Sequence, residues 1–133
     1  MIGILIISHC DIGKEILNAA ELIMGRIEAA DAISITQTTE SAELLKLIAK
    51  KIQLLDQGQG VMVLTDMFGG TPSNLSLSFL EKESIEVLTG VNLPMLVAIV
   101  QERDNLSLAK LGEKAQDAGR RSIALAGKLL ATE

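Results

Sequence analysis

A chain of 133 residues is long enough to bury a core of its own and too short for two ordinary domains, so residues 1–133 are read as one domain. Its apolar share of 48% is almost wholly aliphatic, with 2% aromatics, no Trp or Tyr, and a net charge of -5. That balance removes the rings on which bases stack and repels a phosphate backbone, which argues against nucleic acid as a partner and for a basic protein.

The chain opens with MIGILIISHCD, an apolar run that stops at Ser8, the only histidine His9, the only cysteine Cys10, and Asp11. An unbroken Ile/Leu run bounded by polar residues predicts a strand buried on both faces, as at the centre of a parallel sheet. The run is too short to span a bilayer and no basic segment precedes it, so neither a membrane helix nor a signal peptide is expected. Cys10 alone cannot form an internal disulfide, which suits a reducing cytoplasm. Asp11 stands where it would cap a helix on which Ile12, Ile16, Ala19, Ala20 and Ile23 recur at helical spacing, and Gly25 ends that helix. Ala32 to Ile35 predicts a second strand and Thr36 to Thr39 a polar turn. Glu40 to Asp56 then reads as an amphipathic helix with Leu44, Leu45, Ile48, Ile52 and Leu55 inward.

Val61 to Leu64 is a third strand of the buried type, and it breaks at Thr65-Asp66. Met67 to Gly70 makes a glycine-bearing loop, and Thr71-Pro72 a strong helix start with Leu75, Phe79 and Leu80 toward the core. Ile85 to Leu88 is a fourth strand, Leu93-Pro94 opens a helix that runs to Arg103, and Ser107 caps another with Leu108, Leu111, Ala115 and Ala118 on one face. Ser122 to Ala126 is read as a short antiparallel edge strand. The alternation of strands and helices predicts an α/β fold: one open, mainly parallel sheet in the order 2-1-3-4 with helices on both faces.

In that order the first and third strands are neighbours that the chain leaves in opposite directions, so a crevice opens at their carboxyl ends. His9 and Asp66 end those two strands and should face each other across it. If Asp66 accepts a hydrogen bond from one ring nitrogen of His9, it fixes the tautomer, frees the other lone pair and stabilises developing imidazolium charge. In the alternative reading Asp66 caps the Gly69-Gly70 turn and His9 is a loop histidine. The segment MFGGTPSN offers backbone N–H groups from Gly69, Gly70 and the next helix start, which suit phosphate oxygens or simply form a turn and a cap. No GxxxxGK[ST] occurs and no GxGxxG follows the first strand, so no nucleotide cofactor is expected. A lone His next to a lone Cys falls short of a metal set, and the nucleophile elbow GxSxG of a serine hydrolase is absent.

Four features together resemble the enzyme IIA domains of the mannose class (mannose/fructose/sorbose) of the bacterial phosphoenolpyruvate-dependent sugar phosphotransferase system. They are a first strand ending in Ser-His at His9, LTDMFGGTPSN from Leu64 to Asn74, VLTGVNLPML from Val87 to Leu96, and a length that covers one such domain. The resemblance implies a cytoplasmic phosphocarrier. His9 would take a phosphoryl group from the phosphohistidine of the small histidine-containing phosphocarrier protein and pass it to a histidine or cysteine on an enzyme IIB component. The resemblance also implies that Asp66 orients His9 and that Thr71 contributes its hydroxyl near the phosphoryl group. It implies a homodimer whose subunits exchange a short C-terminal strand, a role that Ser122 to Ala126 would fill. The sequence stops at Glu133 without a linker and IIB domain, so a separate acceptor protein is expected, and Cys10 is assigned no catalytic role. Two other functions stay open: a regulatory module switched by phosphorylation of His9, and the phosphotransfer subunit of a dihydroxyacetone kinase.

Overall fold

The computed structural model describes residues 1–67, 71–77, 79 and 84–131, and its first apolar run forms strand β1, Gly3–His9. Six of its seven residues are buried, as a strand covered on both faces requires. Helix α1 (Ile12–Met24), β2 (Ala30–Ile35), α2 (Ser41–Leu55), β3 (Val61–Thr65), α3 (Thr71–Leu77), β4 (Ile85–Thr89), α4 (Leu93–Glu102) and α5 (Leu108–Arg121) follow. The sheet order is β2-β1-β3-β4 with every pair parallel, as the alternation predicts. Strands β3 and β4 each run one residue further than expected, and β2 begins two residues earlier.

Alternation along the strands divides the core in two. Ile4 and Ile6 join Met62, Leu64, Ile99 and Leu111 on the face covered by α1, α4 and α5. Leu5 and Ile7 join Val63, Leu44, Ile48 and Phe79 on the other, covered by α2 and α3. The side chain of Leu75 and the whole of Leu80, both expected in the core, lie outside the described residues. The chain therefore leaves β1 toward one face and β3 toward the other, which opens the crevice between their carboxyl ends.

Three sequence expectations change in the structure. Helix α1 meets the sheet through its small residues: a Cβ on Gly13 would lie 2.7 Å from Ile6 Cγ2, and Ala20 is the other buried position. That close approach leaves Ile12 and Ile23, inward by spacing, at 47% and 61% exposure. Asp11 precedes α1 without capping it through its side chain; its Oδ1 instead accepts a hydrogen bond from Ser34 Oγ at 2.6 Å, tying the β1–α1 turn to β2.

The third change is at the C-terminal end, where Ser122 to Ala126 is not a strand. Ser122 closes α5 by donating its N–H to Ala118 O, and residues 123–125 lead into a short helix α6, Ala126–Leu130. A strand is held by a neighbour, and among the described residues no strand runs beside this segment. Local bonds suffice for a helical turn instead: the Lys128 and Leu129 N–H groups both return to Leu125 O.

At the amino edge of the sheet, Arg103 is buried at the end of α4 and donates from Nη1 to the Ile2 carbonyl at 3.3 Å. No helix among the described residues is long and apolar enough to cross a membrane.

Candidate active site

The turn after β1 is built so that His9 cannot drift. Alternation sends Ser8 toward α1 and His9 toward the α2–α3 face. Ser8 Oγ is buried, accepts from Gly13 N–H at 2.8 Å and donates to Cys10 O at 3.1 Å. Cys10 takes the left-handed conformation, φ 49°, that reverses the chain, and donates its N–H to Ile35 O at 2.8 Å. Turn and strand end are thus fastened to both α1 and β2.

Asp66 follows β3, whose Thr65 pairs with Ile7 in the register. Its Oδ2 accepts from the His9 backbone N–H and from the ring at Nδ1, each at 2.9 Å, while Oδ1 accepts from Met67 N–H at 3.0 Å. The two residues expected to meet across the crevice do so over 57 positions of sequence. Burial alone would raise the Asp66 pKa; the His9 backbone bond, the ring bond and the ring's charge together outweigh it and hold the carboxyl below its ordinary value. An ionised carboxylate can only accept, so Nδ1 is the ring nitrogen that carries the bonded proton, and in the neutral ring the lone pair lies on Nε2. The His9 side chain is 44% exposed against 10% for Asp66, which leaves the ring open to an incoming group and its partner shielded.

Thr71, the first residue of α3, lines the same shallow depression as His9, together with Cys10, Ile35, Thr36 and Gln37. Gly69 and Gly70, the expected phosphate-binding glycines, lie outside the described residues. Thr36 and Gln37 have no motif to announce them; their one signal in the sequence is a position just past the second strand, at the carboxyl edge where α/β sheets bind ligands. Thr65 also has no motif to announce a role: it shares the His9 face of the sheet, and its buried hydroxyl has no hydrogen-bond partner among the described residues. In the segment VLTGVNLPML, Asn92 acts as scaffold. Its Oδ1 caps α4 through Met95 N–H at 3.0 Å, and its Nδ2 donates to Gly119 O at 3.1 Å, joining α4 to α5. Among the described residues no group of three His, Cys, Asp or Glu side chains is arranged to hold a metal ion.

Comparison with known proteins follows the same lines. Residues 3–116 match the family model EIIA-man, described as PTS system fructose IIA component. The mannose-specific EIIAB component of Escherichia coli K12 is 32% identical over 124 residues, which is 92% of this chain; the chain spans 38% of that relative's length. The sorbose-specific EIIA component of Lacticaseibacillus casei is 29% identical over 111 residues, covering 81% of this chain and 78% of the relative. The crystal structure of the EIIA component from Streptococcus agalactiae superimposes with a TM-score of 0.88 at 29% identity, covering 96% of this chain and 99% of that one. With so much of its length inside the family model, and with the expected fold, this chain belongs to the mannose/fructose-class IIA family of the sugar phosphotransferase system.

Proposed function

We propose that this chain carries a phosphoryl group on His9 Nε2 between two proteins of the sugar phosphotransferase system. The donor is the phosphohistidine of the histidine-containing phosphocarrier protein, and the acceptor is a histidine or cysteine of an enzyme IIB component. The observation that best supports this reading is the double hydrogen bond from His9 to one oxygen of Asp66. It pins the ring, keeps the proton on Nδ1 and presents Nε2 as the nucleophile. In the transfer, the Nε2 lone pair forms the new N–P bond as the donor's N–P bond breaks, and that bond's electron pair returns to the donor's ring nitrogen. No proton has to move; the positive charge gained by the His9 ring is stabilised by the Asp66 carboxylate. Thr71, exposed beside His9, contributes its hydroxyl to the phosphoryl oxygens, and Gly69 and Gly70, which precede it in the sequence, are the further phosphate contacts of this reading. Transfer between two nitrogens rests on positioning and charge stabilisation, which these groups supply without a cofactor.

The proposed carrier works as a homodimer joined through the C-terminal segment. Ile123 and Leu130 are each 79% exposed there, with Leu125 and Leu129 beside them, an apolar surface that a second copy would cover.

The test is mass spectrometry after incubation with phosphoenolpyruvate, enzyme I and the histidine-containing carrier, run beside His9→Ala. A single acid-labile phosphoryl gain in the unsubstituted protein alone is expected, and under native conditions a particle of twice the chain mass. No gain with competent donors would overturn the carrier reading; a particle of one chain mass would overturn the dimer.

A further inference from the structure

A phosphoryl group on His9 brings negative charge into a depression whose described lining holds no Lys or Arg. Neutral donors have to hold it. The depression has a volume of about 240 Å³, below the roughly 300–1,000 Å³ of ordinary small-molecule sites, so it suits one small group better than a nucleotide. Thr71 at the start of α3 lines it, as do Thr36 and Gln37 of the β2–α2 turn, Thr36 to Thr39.

That turn is fixed relative to His9. Ile35 is the register partner of His9, and the turn begins at the next residue. It is also folded by its own bonds: Thr39 N–H donates to Thr36 O at 3.2 Å, and Thr36 N–H to Thr39 Oγ1 at 3.0 Å. The hydroxyls of Thr38 and Thr39 each lie 3.2 Å from Thr36 Oγ1. Three hydroxyls bring three protons to two contacts, so one O–H remains to donate outward. Gln37 has a carboxamide with no hydrogen-bond partner among the described residues, two N–H donors and a place in the lining beside His9. A turn that carries spare donors in a conformation already set is preorganised for an anion that comes and goes.

We propose that the β2–α2 turn is a second donor wall for the phosphoryl group on His9, with the Gln37 carboxamide as its main contact and a threonine hydroxyl of the Thr36 cluster as its second. The inference rests on the carrier reading above and extends it to residues outside the motif. Gln37 and Thr36 act here as positioning donors for the transferred group; the bond made and the bond broken are unchanged.

The test compares uptake on His9 from two donors, the phosphohistidine carrier protein and phosphoramidate, a small N–P donor with no protein surface. The variants are Gln37→Ala, Gln37→Glu and Thr36→Val, all at exposed positions that leave the core intact. Uptake by Gln37→Ala should fall about tenfold with both donors, the loss of one hydrogen bond to a charged group, and Gln37→Glu should fall further because it adds a like charge. Thr36→Val should fall by a smaller factor. Wild-type uptake from phosphoramidate with unchanged rates in all three variants would overturn the proposal. So would slowing confined to the protein donor, which would make the turn a partner contact. Absence of uptake by the wild type from either donor would overturn the carrier reading, and this inference with it.

Discussion

Strand β1 is open to solvent at one end and sealed at the other. At its carboxyl end His9 is 44% exposed and held by one carboxylate. At its amino end Ile2 is buried, and its carbonyl receives a hydrogen bond from the guanidinium of Arg103, itself only 5% exposed. Burial pushes the Arg103 pKa down, against the opposing pull of Asp104 and Glu28, so the charged group is kept at some cost to satisfy backbone. The same strand thus attaches the proposed chemistry to one edge of the sheet and stability to the other. Substitutions at the two edges should separate them.

The largest separation is expected from Asp66→Asn. A carboxamide has one accepting oxygen where Asp66 uses two, toward His9 and toward Met67, so the tautomer is no longer enforced. Phosphoryl uptake on His9 should slow by roughly a hundredfold, while stability falls by only about 1 kcal/mol. Single-turnover uptake and urea unfolding check both sides, and an unchanged rate would remove Asp66 from the mechanism. The converse is Arg103→Ala. Losing the bond to Ile2 and the packing of the arginine stem should cost about 2–3 kcal/mol of stability. The rate of phosphoryl uptake by the folded protein should stay at its wild-type value; a slowed rate would show that the two edges are coupled. The smallest effect sharpens the contrast through pH. Because the folded state holds the Asp66 pKa below its unfolded value, its contribution is complete above the ordinary carboxylate range and is lost as pH falls through the lower, folded value. Acid unfolding curves of the wild type and Asp66→Asn should therefore differ more at neutral pH than at the acid end. A constant difference would mean that the carboxylate's ionisation plays no part in folding.

Much of this arrangement is legible in the sequence where local pattern and topology agree. The runs in β1 and β3 could only be buried strands, and the strand–helix alternation fixes the sheet order and brings His9 to Asp66. The pattern is weaker where a face is decided by contact. Ile12 and Ile23 share a helical stripe with Ile16, yet Gly13 and Ala20 settle against the sheet because small residues allow the closer approach. Ser122 to Ala126 looks like a strand because it is a short apolar stub, but strand identity depends on a neighbour that local sequence does not specify. Thr36 and Gln37 are ordinary turn residues by composition; only folding places them beside His9.

One consequence of the sheet order concerns motion. His9 and Asp66 stand at the ends of β1 and β3, the two central strands, each paired on both sides, whereas β2 and β4 form the edges. Fraying begins at edges and chain ends, where fewer bonds must break, while central strands open at close to the full unfolding free energy. The distance between the two residues is therefore protected from the local breathing that affects the rest of the surface. In the proposed carrier, the pair would keep its alignment between encounters with donor and acceptor and would not have to find it again each time.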